Sequence, residues 1–254
     1  MRYLSLFTGA GGGDLAFQHL LGWECMGYVE WDSYCQRVIA QRQTDGVFDR
    51  APIYGDVRAF ARDGYAAVYT GMVDVVTGGF PCQPFSVAGK RAGADDERNM
   101  WPATIECIRT IRPQFAFLEN VPGLLSSGYF GTILGDLAES GYDARWRVLS
   151  AAEVGAPHKR DRLWIVAHAV NRGNALWRNR TFYETQFAAG CKNHQRTGTS
   201  GICSGEWWHN QSRPNGVADG VADRVNRLKA IGNGIVPAVA ATAWHLLTEE
   251  LCTA

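Results

Sequence analysis

Over the first 120 positions, short apolar runs alternate with stretches of helical spacing. Residues 3–7 read as a strand, followed by a glycine cluster and a helix over about 14–21. A second strand is expected at 24–29, ending on Glu30, with a helix over about 33–43. Residues 53–54 form a short third strand ending near Asp56, and residues 73–77 a fourth that leads into Gly78-Gly79-Phe80-Pro81-Cys82. Helical spacing returns over 101–111, and 115–118 is a buried strand ending on Glu119. Strand–helix alternation of this kind predicts an α/β fold: a mostly parallel sheet with helices on both faces. Such sheets collect ligands beyond the carboxyl ends of their strands. The glycine-rich and polar residues fall at those ends.

The texture changes after about Ala169. Residues 169–223 are rich in Asn, Arg, Gly and Gln, with no sustained period, and read as a short loop-rich insert. Regular pattern resumes over 225–231, followed by Gly232-Asn233-Gly234 and an apolar helix over about 237–251, with Pro237 suited to a first helical turn. The expected organisation is a main domain over 1–168, the insert over 169–223, and a segment over 224–254 that returns to the main domain.

Composition narrows the class. The chain has 254 residues, 46% apolar and 20% charged, enough for one full core. No apolar run reaches the ~20 residues of a membrane helix. Seven cysteines without C-x-x-C argue against a disulfide framework and for a reducing cytoplasm. The net charge is zero but uneven. Residues 1–140 hold 11 Lys/Arg against 16 Asp/Glu, and residues 141–254 hold 14 against 9. The basic half suits a polyanion, although a solvated charged face would look the same.

Chemistry begins at Phe7-Thr8-Gly9-Ala10-Gly11-Gly12-Gly13. Glycines there let the backbone approach a ligand and leave N–H groups free at a helix start. Gly11, Gly13 and Ala16 satisfy G-x-G-x-x-A with Glu30 on the next strand, so a dinucleotide is one candidate ligand. A plain turn would need no ligand at all. A Glu30 carboxylate accepting ribose hydroxyls, a Trp31 indole stacking on adenine and an Asp56 accepting from its amino group together indicate an adenosine-containing ligand. Cys82 lies between Pro81 and Pro84, at the sheet's ligand edge, whereas the other cysteines read as small buried hydrophobes. Glu119, ending the neighbouring strand, fits an acid partner to a cysteine nucleophile if burial raises its pKa. Arg160 and Arg162, at i and i+2, would share one face of a strand and suit a phosphate or a carbonyl oxygen.

With these residues in order, the chain resembles the cytosine-5 DNA methyltransferases that use S-adenosylmethionine (SAM). Phe7-x-Gly9-x-Gly11, Glu30-Trp31, Gly55-Asp56-Val57, Gly79-Phe80-Pro81-Cys82-Gln83, Glu119-Asn120-Val121, Arg160-x-Arg162 and Gly232-Asn233-x-x-x-Pro237 carry the resemblance. It implies the Rossmann-like SAM-dependent methyltransferase fold, with residues 169–223 as target-recognition region. It implies a catalytic set of Cys82, Glu119, Arg160 and Arg162, with the Cys82 thiolate adding to carbon 6 of a flipped-out cytosine. Cofactor contacts are implied at Phe7, Thr8, Gly9, Gly11, Gly12, Glu30, Trp31, Asp56, Val57, Pro81, Asn233 and Ile235. Residues 90–99 are similar to the family's mobile loop.

His158 stands where the family's arginine motif usually begins with glutamine, and the recognition region is short, as in compact phage-like members with no restriction partner. Double-stranded DNA is the expected partner, with no membrane and no obligate protein partner, in a monomer. Ser86, Lys90, Arg91, Arg98, Arg172, Arg178, Arg180, Lys192 and Arg213 are the candidate DNA contacts, without a register for base readout. Cys191, His194, Cys203 and His209 match no standard zinc spacing, so no metal is expected. A tRNA cytosine methyltransferase would use the same catalytic set. A non-catalytic SAM- or DNA-binding regulator would be expected to lack part of it. A nicotinamide oxidoreductase accounts for the glycines but not for Pro81-Cys82-Gln83.

Overall fold

The computed structural model describes residues 1–81, 99–170, 226, 230 and 232–252. From the N-terminus, β1 (Arg2–Leu6) leads into α1 (Gly12–Leu15), which continues as one π-helical stretch, Ala16–Leu20. β2 (Glu24–Val29), α2 (Ser33–Thr44), β3 (Ile53–Tyr54), α3 (Val57–Arg62), α4 (Tyr65–Val68) and β4 (Val75–Gly78) follow. Beyond residue 98 come α5 (Trp101–Ile111), β5 (Phe115–Asn120), α6 (Tyr129–Glu139), β6 (Tyr142–Leu149), β7 (Arg162–Ala169) and α7 (Pro237–Cys252).

Local chemistry accounts for where these helices start. Asp32 caps α2 by accepting from the Tyr34 and Cys35 amides, and Asp56 caps α3 by accepting from Arg58. Ser150 and Glu153 form a capping box on the 3-10 turn Ala151–Val154, between β6 and β7. In α5, Trp101, Thr104, Ile105, Ile108 and Ile111 are buried at helical spacing, so one face is inward.

The strands form one sheet in the order β3-β2-β1-β4-β5-β7-β6. β3 through β5 pair in parallel, whereas β7 runs antiparallel to both β5 and β6. Alternate side chains of each strand feed two cores. Leu4, Leu6, Val76, Ala116, Leu118, Leu163 and Ile165 pack under α3 to α6. Tyr3, Tyr28, Val75, Phe115, Phe117, Trp164 and Val166 pack under the π-helical turn and α7. Trp244 of α7 sets its indole edge against Trp23, Phe115 and Phe117 at 4.7–5.4 Å. Truncating so buried a tryptophan to alanine costs about 3–5 kcal/mol. The C-terminal helix is therefore an integral layer over the sheet.

Several expectations need adjustment. β1 ends at Leu6, because Phe7 turns into the left-handed region at φ 54. β4 begins at Val75, two residues later than its apolar run, and α3 and α4 fill the interval before it. The sheet's far edge is an antiparallel pair. Arg160 lies outside any strand, at φ 44, two residues before β7 begins. The two arginines therefore do not share a strand face.

Candidate functional site

The carboxyl ends of β1, β2, β4 and β5 lie side by side, with Leu6 opposite Val29 and Gly78, and Gly78 opposite Leu118. At the first of these ends the Glu30 carboxylate accepts from the Gly9 amide at 2.6 Å and from the Asp32 amide at 2.7 Å. One side chain thus joins the β1 turn to the α2 cap, and each oxygen keeps a second lone pair for a ligand hydroxyl. Trp31 is 72% exposed beside it, an aromatic face left bare at a ligand edge. Phe7 holds its left-handed backbone at the same rim; strained residues of this kind concentrate at functional sites.

The chemical end is built by β4, β5 and β7. The Glu119 carboxylate is largely buried and accepts from Arg162 Nε at 2.8 Å. Burial raises its pKa above the ordinary carboxylate range, opposed by the Arg162 and Arg160 cations. Asn120, 2% exposed, donates from Nδ2 to the Phe80 carbonyl at 3.1 Å, and its Oδ1 accepts from the Val121 amide at 2.8 Å. It thereby ties the end of β5 to the backbone immediately before Pro81. Arg160 donates from one guanidinium nitrogen to the Gly232 and Gly234 carbonyls. Burial and the neighbouring Arg162 lower its pKa. Its described contacts clamp the C-terminal segment, while Arg162 makes the ion pair with Glu119.

These parts enclose a cavity of about 610 Å³. Phe7, Gly9, Glu30 and Trp31 wall one end; Pro81, Glu119 and Arg162 wall the other; Asn233 closes it from the C-terminal segment. Residues separated by more than 200 positions in the chain therefore face one space. Thr8 lies just behind the wall, buried and donating to Ser5. Gly11 caps α1 against the Phe48 ring, and Gly12 lies directly under the Ile235 backbone. Asp56 and Val57 stand off the wall. Asp56 is paired with Arg58 at 2.8 Å, which lowers its pKa, and Val57 is buried in the core. Cys82 and all nine candidate DNA contacts, Ser86, Lys90, Arg91, Arg98, Arg172, Arg178, Arg180, Lys192 and Arg213, lie outside the described residues, as do Cys191, His194, Cys203 and His209.

Sequence reasoning missed Asp32, Cys35, Met100 and Ala230, which also line the cavity. Asp32 had a findable signal, an Asp immediately before a helix. Met100 and Ala230 had none, since only the tertiary fold brings them to the edge. Among the described residues no group of three metal-ligating side chains comes together, and no helix is long and apolar enough to cross a membrane.

The strand order β3-β2-β1-β4-β5-β7-β6, with β7 inserted antiparallel between β5 and β6, defines the class, a methyltransferase-type sheet. Among solved structures, Spodoptera frugiperda DNMT2 superposes with a TM-score of 0.54 at 21% identity, covering 67% of this chain and 50% of that one. A putative DNA modification methyltransferase from an Escherichia coli prophage gives 0.51 at 23% identity, covering 66% and 47%. Those likenesses show the fold. The family model for C-5 cytosine-specific DNA methylase matches residues 1–197, and the chain belongs to that family. The Type II methyltransferase M.NgoMIV of Neisseria gonorrhoeae is 36% identical over 168 residues, 65% of this chain and 50% of that protein. M.HpaII of Haemophilus parainfluenzae is 35% identical over 182 residues, 67% and 47%. The chain spans about half the length of these relatives.

Proposed function

We propose that the protein transfers a methyl group from SAM to carbon 5 of a cytosine flipped out of double-stranded DNA. The observation that carries this reading is the buried Glu119–Arg162 pair, which faces the same cavity as the Glu30–Trp31 edge. Fit to the cofactor rests on Glu30, with free lone pairs for ribose hydroxyls, on the bare Trp31 indole for adenine, and on the strained Phe7 at the rim.

Carbon 5 of cytosine is too weak a nucleophile to take a methyl group unaided. The Cys82 thiolate would add to carbon 6, and the ring's electron pair would shift toward nitrogen 3 and carbon 5. Glu119, with its raised pKa, would hold a proton at nitrogen 3 and offset the developing charge. Arg162 would hold both Glu119 and the exocyclic oxygen of the base. SAM supplies the electrophilic methyl group when bound. A base then removes the carbon 5 proton, and the returning electron pair expels Cys82. Arg160 acts by holding the C-terminal wall, and Asn120 by fixing the backbone that enters the cysteine loop.

The test is covalent trapping. Fluorine at carbon 5 leaves no proton to remove, so protein, SAM and 5-fluorocytosine duplex should give a denaturation-resistant complex. Cys82→Ser should abolish it, because a serine hydroxyl is far less ionised at neutral pH. Trapping that survives Cys82→Ser, or is missing on a duplex the wild type binds, would refute the mechanism. The same assay with a 5-fluorocytosine RNA decides between DNA and RNA as substrate.

A further inference from the structure

Behind the cofactor turn lies a second, much smaller cavity of about 20 Å³, enough for one water. Ser5, Thr8, Asp14, Thr77 and Trp164 give it a polar lining, and Phe7 and Gly79 belong to its wall and to that of the large cavity. One layer of residues separates the two. Asp14 is 1% exposed, accepting from the Tyr3 hydroxyl at 2.8 Å and the Ser5 hydroxyl at 3.3 Å. The Trp164 indole N–H on the same cavity has no hydrogen-bond partner among the described residues. The mechanism above uses none of these groups.

We propose that Asp14 is an electrostatic positioning residue that favours the cationic sulfonium of SAM over the neutral thioether of its product, S-adenosylhomocysteine. The inference rests on the cofactor reading given above. Methyl transfer requires the sulfur to lie at the Glu119 end of the cavity. Gly79 is that end's floor, since a Cβ there would come within 3.0 Å of Glu119 Oε2. The same glycine roofs the Asp14 cavity. An anion one layer below the sulfur attracts a positive charge and does nothing for a neutral one. Product, having lost that charge, would leave more readily.

Burial raises the Asp14 pKa to about 6, with the Tyr3 and Ser5 hydrogen bonds opposing the rise. Tyr3 on β1, with Cys25 and Tyr28 on β2, are the titratable groups coupled to it, and burial pushes all three upward, so they stay neutral from pH 5 to 8. No cation is among the causes of the Asp14 shift. The carboxylate is therefore charged at pH 8 and mostly protonated at pH 5.

Calorimetric titration of the full chain with SAM and, separately, with S-adenosylhomocysteine decides the matter. For wild type, the ratio of the two affinities should favour SAM at pH 8 by on the order of tenfold more than at pH 5. SAM binding near pH 5.5 should release a proton. In a Glu119→Gln background, which removes the other carboxyl of raised pKa at that end of the cavity, the ratio should keep its pH dependence, and adding Asp14→Asn, which keeps the acceptor for Tyr3, should leave product affinity unchanged and flatten it. A wild-type ratio that does not change with pH would overturn the proposal, and this arm needs no variant to fold. Equal loss of both ligands in Asp14→Asn would reduce Asp14 to a structural role. Failure of wild type to bind either ligand would instead refute the cofactor reading.

Discussion

A close approach of backbone to backbone in the site offers the sharpest structural test, Gly12→Ala. A Cβ on Gly12 would lie 2.5 Å from the Ile235 carbonyl oxygen and 3.1 Å from the Ile235 nitrogen. Ordinary contact requires about 3.4–3.5 Å, so α1 and the C-terminal segment must part by about an ångström. Neither side yields cheaply: α1 starts at Gly12, and Arg160 holds the carbonyls that flank Asn233. Overpacking of this kind costs about 1–3 kcal/mol. For a chain of this size that lowers Tm by roughly 5 °C. Moving the Asn233 wall outward should also weaken SAM at least about tenfold, equivalent to about 1.4 kcal/mol. Gly22→Ala is the control. Gly22 has φ +67 with nothing within 4 Å of its added Cβ, so it should lose about 1–2 kcal/mol of stability to left-handed strain and no affinity. Thermal unfolding and calorimetry read the two effects separately. Wild-type SAM affinity in Gly12→Ala would refute the claim that this contact sets the cofactor wall.

Trp31→Ala should change stability by less than about 0.5 kcal/mol, because the side chain is mostly solvated, yet weaken SAM about tenfold; loss of fold without loss of binding would contradict its placement. Asn120→Leu should cost about 1–3 kcal/mol by stranding the Phe80 carbonyl and the Val121 amide. It should slow 5-fluorocytosine trapping more than it weakens SAM, and the reverse order would remove Asn120 from the cysteine loop's support. Asp14 makes a signed prediction in urea titrations. Its folded pKa of about 6 stands above the ordinary 3.8, so its contribution is fully present below pH 3.8 and is lost as pH rises through 6. Asp14→Asn should thus exceed wild-type stability by roughly 3 kcal/mol at pH 7.5, with the difference vanishing below pH 4; equal stabilities at pH 7.5 would show that the carboxyl is not buried as described.

Much of the architecture was open to reading because it is written in local terms. Alternating apolar runs and helical spacing specify β1 through β5 with α1, α2 and α5, since period and capping act over a few residues, whereas α3 and α4 were not read. The glycine turn, Glu30-Trp31 and Glu119-Asn120 likewise sit at strand ends, where a parallel sheet exposes whatever follows each strand. What no local pattern contains is which ends become neighbours. The partition of Arg160 and Arg162 between a clamp and a carboxylate depends on a left-handed residue at 160 that only the surrounding packing can hold. The reversal of β7 against β5 sets Trp164 opposite Glu119, and no period in either strand announces it. Asp56 caps α3 and pairs with Arg58, a local use of the carboxylate that its place at a strand end does not announce. Asp14 carried no signal of its own, standing only at the expected start of the first helix. The sequence alone therefore determined the elements and the chemistry available at their ends. Tertiary packing decided which of those groups are buried, and burial, by removing water, is what raises the pKa of both Glu119 and Asp14.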